Sequence, residues 1–218
     1  MDNKELDERL TTINEAAMKA VAEGDFEEAI SLFTQRLELE EKHGMTVPMA
    51  ESHTNIANIW FSVEEHDQAL LHLEKAVELF QKAGRIDGVI SVHLTASVIF
   101  ELTGDAVTAQ KSLEAALRIA DTDKQQGVVR CRLAALHQRA ERYDQAQEAY
   151  NLAVMEIERS DSPEDLMLCL MARASLYSET DRLSFAERDI ARAKQLSLGS
   201  NRLTSIYLNA AEELGFNM

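Results

Sequence analysis

Apolar residues recur along this chain at steps of three and four, the spacing that lays one stripe along a 3.6-residue helix. The stripes come in pairs, and the second of each pair opens on a short polar turn phrase that ends in alanine. These phrases are Gly24-Asp25-Phe26-Glu27-Glu28-Ala29, His66-Asp67-Gln68-Ala69, Gly104-Asp105-Ala106-Val107-Thr108-Ala109, Arg142-Tyr143-Asp144-Gln145-Ala146 and Arg182-Leu183-Ser184-Phe185-Ala186. The five alanines stand 40, 40, 37 and 40 residues apart. Twelve residues before each anchor lies a second small residue: Ala17, Ala57, Ser97, Ala134 and Ala174. Seven after it lies a third, in Ala76, Ala116, Ala153 and Ala193, with Arg36 the one departure. Four after it is a bulky side chain, Phe33, Leu73, Leu113, Tyr150 or Ile190, and nine before it four units carry a ring, Trp60, Phe100, His137 and Tyr177, against Ala20 in the first.

The pattern predicts a helical hairpin repeated five times. First helices of the hairpins are expected over about 8–23, 48–63, 87–103, 125–140 and 163–180, and second helices from about 26, 67, 106, 144 and 183. Small residues at two registers let the paired backbones approach closely, while the ring and the bulky residue fill the space around the crossing. Helix ends carry their own signals. Asp25-x-x-Glu28 and Ser184-x-x-Glu187 have the spacing of capping boxes, and Ser162-Pro163-Glu164-Asp165 groups a cap, a first-turn proline and first-turn acids. Gly44, Gly84 and Gly199 fall where second helices should stop. From Ser200 to Gly215 an amphipathic segment, with Leu203, Ile206, Tyr207, Ala210 and Leu214 on one face, would cover the apolar surface that the last hairpin leaves.

In these registers the chain resembles a tetratricopeptide repeat (TPR) protein, whose units carry small residues, an aromatic and the A-x-x-x-F step in this order. The likeness runs over residues 10 to 198. Its units exceed the usual length of about 34 residues, and the family's closing proline register holds Glu41, Gln81, Asp121, Glu158 and Leu198. Longer units of this kind resemble those of kinesin light chain and related adaptors. The resemblance implies an all-α fold, a right-handed TPR-like α-solenoid of five helix-hairpin repeats plus a C-terminal capping helix. The expected organisation is one domain, 1–218, with repeats at about 8–44, 48–84, 87–122, 125–160 and 163–198 and the cap at about 200–215.

Composition narrows the function. Of 218 residues 45% are apolar and 28% charged, an ordinary globular balance, and only 8 Gly and 2 Pro leave little turn chemistry for an all-β fold. The net charge of −16 argues against nucleic acid and anionic membranes as partners, because phosphate binding needs a basic surface. The first residues lack the apolar stretch of a signal peptide, which gives a cytoplasmic expectation. Cys131 and Cys169, with no CxxC spacing, are expected to be reduced thiols. No phosphate loop, HExxH or GxSxG is present, so no enzyme, cofactor or metal is expected. His53 and His93 share a register on successive first helices, too far apart to share a metal ion.

In a TPR stack the first helices line the groove. Registers 18, 15, 11 and 8 before the anchor share one helical face, because their steps are three, four and three. The candidate peptide-binding residues are Asn14, Met18, Thr54, Asn58, Phe61, Leu94, Val98, Glu101, Cys131, Gln138, Met171 and Ser175, with Arg139 at the rim. None of the twenty register positions is Lys or Arg, so a clamp for a C-terminal carboxylate is not expected. Residues 1–110 hold 21 acids and 8 bases, a net −13, and residues 111–218 hold 17 and 14, a net −3. The expected function is a non-enzymatic adaptor, co-chaperone or regulatory subunit that binds a peptide or helical segment with apolar anchors and neutral or basic charge. The alternative is a secretion or assembly chaperone shielding an apolar segment of a client. A homo-oligomer stays open.

Overall fold

Seventeen residues of helix and a three-residue link make a 20-residue period, and two such periods make the 40-residue unit. In the computed structural model, which describes residues 3–198 and 200–213, the helices are α1 (Asn3–Glu23), α2 (Phe26–Lys42), α3 (Thr46–Ser62), α4 (His66–Lys82), α5 (Ile86–Leu102), α6 (Ala106–Ile119), α7 (Asp123–Arg139), α8 (Tyr143–Arg159), α9 (Pro163–Glu179), α10 (Leu183–Ser197) and α11 (Asn201–Glu213). Helices α2 to α5 and α7 to α9 each run 17 residues. No strand occurs among the described residues. The fold is all-α and TPR-like.

The links share one device. A residue in the left-handed region follows the helix at Gly24, Gly44, Glu64, Gly84, Gly104, Glu141, Asp161 and Asp181, with φ between 52° and 83°. In seven of these links the next amide donates back to a carbonyl five residues earlier, for example Glu65 N to Trp60 O (2.9 Å) and Arg142 N to His137 O (2.9 Å). This bond closes a Schellman turn and satisfies a carbonyl that the helix end would leave bare. In the first helices its acceptor is the register that carries Trp60, Phe100, His137 and Tyr177. The unit spaced at 37 residues breaks the rule. Helix α6 has 14 residues, and α7 starts from a capping box in which Thr122 Oγ1 accepts from Gln125 N (3.2 Å) while Gln125 Oε1 accepts from Thr122 N (3.3 Å).

Several expected ends need correction. Helix α1 begins at Asn3, five residues early, because Leu6 and Leu10 are buried one turn apart and carry the Ala17 stripe back toward the N-terminus. Asp25 does cap α2, accepting from Glu28 N at 3.1 Å. Ser184 does not cap, since α10 starts at Leu183, and Ser162 Oγ donates to Asp165 Oδ2 rather than accepting from the backbone. The expectations for Gly199, Leu214 and Gly215 lie outside the described residues.

In α1–α2, α3–α4, α7–α8 and α9–α10 the small registers of the paired helices pack in common cores. Ala17, Ala57, Ser97, Ala134 and Ala174 are fully buried, and so are the anchors Ala29, Ala69, Ala109 and Ala146, with Ala186 almost so. Contacts group the chain into two compact units, Met1–Asp105 and Ala106–Met218. The first contains the hairpins α1–α2 and α3–α4 together with α5, its core built on Phe33, Ile56, Leu73, Phe80 and Ile99 with Trp60 packed against it. The second contains α6, the hairpins α7–α8 and α9–α10, and α11, around Tyr150, Ile157, Met167, Leu170 and Leu176. Helix α11 inserts Tyr207 and Ala211 into that core. No helix is long and apolar enough to cross a membrane among the described residues.

Candidate functional site

The candidate residues fall into two sets, one in each unit. In the first unit they ride on α1, α3 and α5, and in α1 and α3 the small residues Ala17 and Ala57 pack in the same cores as Ala29 and Ala69 of the paired helices. Met18 is 51% exposed, Asn58 is exposed, and Phe61, Leu94 and Val98 are half-buried. Phe61 packs against the core of its unit and lies 5.9 Å from the His66 ring, centroid to centroid. Thr54 Oγ1 donates to the Ala50 carbonyl of its own helix (2.9 Å). Glu51 is exposed, and Glu101 is half-buried and engaged within the fold.

Asn14 is drawn into a polar cluster that sequence reasoning missed. Its Oδ1 accepts from Arg36 Nη1 at 2.6 Å, and Arg36 Nε lies 2.8 Å from Glu40 Oε1. Glu40 is fully buried, and burial pushes its carboxyl above the usual range against the lowering influence of Ser52 and Arg36. The odd residue at an alanine register was the available signal: an arginine at a closely packed crossing calls for a buried partner.

In the second unit α7 and α9 carry the set. Gln138 and Ser175 are brought together: Gln138 Nε2 donates to Ser175 Oγ (3.4 Å) and to Glu179 Oε1 (2.6 Å), and Gln138 Oε1 accepts from the buried Tyr150 hydroxyl (3.1 Å). Burial holds that phenol well above its ordinary value, so it remains a donor. Met171 is 1% exposed and belongs to the core rather than to any surface. Arg139 is exposed. Cys131 is half-buried and Cys169 buried, both free thiols. The hydrogen bond its S–H donates to Cys131, and then burial, raise the Cys169 thiol, which keeps it protonated and unreactive at neutral pH.

His53 meets not His93 but His72 of the paired helix α4, with their Nδ1 atoms 3.0 Å apart and ring centroids at 5.1 Å. Burial, then His72 and Lys75, lower His53 to about 4, so both rings share one hydrogen bond as neutral imidazoles at pH 7. Among the described residues no group of three or more His, Cys, Asp or Glu converges as a metal site would.

Taken together, the first-unit set combines exposed or half-buried apolar side chains with an exposed amide and acids, and in the second unit Gln138 and Ser175 are tied into a hydrogen-bond network. Residues 3–158, more than two thirds of the chain, match the family model for soluble NSF attachment protein, SNAP. No curated protein matches the chain by sequence. Among solved structures, BtubC (BKLC) from P. vanneervenii superposes with a TM-score of 0.74 at 19% identity, covering 91% of this chain and 83% of that one. The quorum sensor NprR from B. thuringiensis gives 0.72 at 14% identity over 94% of this chain and 58% of that one, so the chain spans less than two thirds of the sensor. NprR is matched as well in complex with its cognate peptide NprX. A kinesin light chain protein of P. anserina with nearly identical TPR-like repeats gives 0.61 at 16% identity, covering 89% and 97%. At these identities the likeness is one of fold.

Proposed function

The chain belongs to the soluble NSF attachment protein (SNAP) family, and on that premise we propose that it is a non-enzymatic, cytoplasmic interaction module that holds a partner's peptide segment against the α1, α3 and α5 face of its first unit. The observation that carries the reading is the side-chain inventory of that face. Met18, Phe61, Leu94 and Val98 offer apolar surface at the groove registers of their helices, Asn58 adds an exposed amide, and Glu51 adds charge. Such a wall desolvates leucine or aromatic anchors, while its acid pairs with a ligand's Lys or Arg. The unit's acidic balance steers a basic segment toward it. That NprR, alike in fold, was solved with a bound peptide supports a peptide as the ligand class.

Selection of a random peptide library against the whole chain tests this. Expected is enrichment of segments that combine two or more large apolar residues with Lys or Arg and are depleted in Asp and Glu. Enrichment of acidic segments, lost on mutating residues of the second unit but not of this face, would overturn the reading.

A further inference from the structure

Arginine stands four residues before the anchor in the last two repeats, Arg142 and Arg182, and glutamine one residue after it in the repeat before each, Gln110 and Gln147. Each arginine reaches back one repeat. Arg142 donates through both terminal nitrogens to Gln110 Oε1, at 3.3 Å each, and Arg182 donates to Gln147 Oε1. An amide oxygen carries no charge to match a guanidinium, and the two Arg142 bonds are long.

Arg142 also lines a cleft of about 360 Å³ between α6, α7 and α8, together with Gln110, Arg130, His137, Glu148 and Leu152. Its charges can be counted. Arg130 is met by Glu156, its Nε lying 2.9 and 3.0 Å from the two oxygens of that buried carboxylate. His137 is held neutral by burial and then by Arg142, against the influence of Glu114 on α6. Glu148 sits on the exposed rim. One cation is left in the wall, and its Nε, like His137 Nδ1, is shielded from solvent with no hydrogen-bond partner among the described residues. A buried donor of this kind costs free energy until an acceptor reaches it.

We propose that this cleft docks an acidic side chain of a partner protein, its carboxylate on Arg142 and a following apolar residue on Leu152. The charge count selects a carboxylate. One guanidinium with no ion-pair partner in the cleft matches a monoanion, whereas a phosphate dianion would bring a second negative charge beside Glu148 in a chain of net charge −16. The cleft lies wholly in the second unit and takes ligand charge opposite to that of the peptide face on the first.

The arginine Nε–Hε resonances in a two-dimensional nitrogen–proton spectrum read the donor directly. Capped acetyl-Glu-Leu-amide, capped acetyl-Gln-Leu-amide and inorganic phosphate serve as probes on the full chain. Expected is a saturating shift of the Arg142 signal with the Glu dipeptide, about tenfold weaker binding of the Gln dipeptide, and phosphate no tighter than the latter. Arg142→Gln should reduce the Glu dipeptide to the level of the Gln one, and Arg142→Lys, which keeps charge but loses the fork, should fall between. An unmoved Arg142 signal, equal binding of the two dipeptides, tighter binding of phosphate, or a folded Arg142→Gln that binds like wild type would each overturn the proposal. Should Arg142→Gln fail to fold, the wild-type comparison of the three probes decides alone.

Discussion

Arg36 stands at a register that four other repeats fill with alanine, where its guanidinium lies against the Glu40 carboxylate as an ion pair and donates a hydrogen bond to Asn14. Its side chain is 14% exposed and that of Glu40 not at all, so truncation leaves a buried carboxylate without its cation. Arg36→Ala is expected to lower stability by about 3 kcal/mol in urea unfolding, and adding Glu40→Leu should recover at least half of it by removing the stranded charge. Equal loss in single and double variants would mean that packing, not charge, sets the cost. The histidine pair gives a pH signature. His53 titrates near 4 when folded against 6.5 in the ordinary range, so the unfolded chain binds more protons between those values. Stability from this group is therefore fully present above pH 6.5 and lost as pH falls toward 4. Expected is a wild-type melting temperature that falls between pH 6.5 and 5 more steeply than that of His53→Gln. Arg36 at an alanine register signalled a buried partner without naming it, and the histidine pair had no signal: periodicity names the face a side chain occupies, but not which side chain it meets.

At the scale of elements, the hairpins were legible because their small registers repeat, and each paired helix was placed to within a few residues. The links were legible only in part. Glycine marks the left-handed position at Gly24, Gly44, Gly84 and Gly104, whereas Glu64, Glu141, Asp161 and Asp181 occupy the same conformation with no sequence signal. Strain at those positions is removable. Glu141→Gly is expected to raise unfolding free energy by about 0.5 kcal/mol, the relief of a left-handed residue less the extra entropy of glycine in the unfolded chain. Gly84→Ala, at φ 66°, should lower it by about 1 kcal/mol. Denaturant midpoints that move the other way would mean the links relax to another turn. The 37-residue spacing, too, acquires its cause only in structure, from the short α6 and the Thr122 capping box.

Across the whole molecule, charge and chemistry divide together. Residues 1–110 hold most of the net charge, −13 of −16, and contain the apolar candidate face, while the second half is closer to balance and rich in arginine. The spacing of the groove registers puts them on one face of each helix. Which of them remain available was not legible there: Met171 is core, Asn14 belongs to Arg36, and Gln138 is bound at both ends by Tyr150, Ser175 and Glu179. Phe61 is the residue on which the account turns, since it touches the core of its unit and still keeps part of its ring exposed. The most direct measurement is the affinity of a library-selected peptide for Phe61→Ala and for Glu51→Lys, with the thermal midpoint of each variant measured alongside. Phe61→Ala should weaken binding by about thirtyfold, the effect of truncating a central anchor worth roughly 2 kcal/mol, and Glu51→Lys should weaken only peptides that carry Lys or Arg. Wild-type affinity in both variants, with both folded, would contradict the account and move the ligand to another surface.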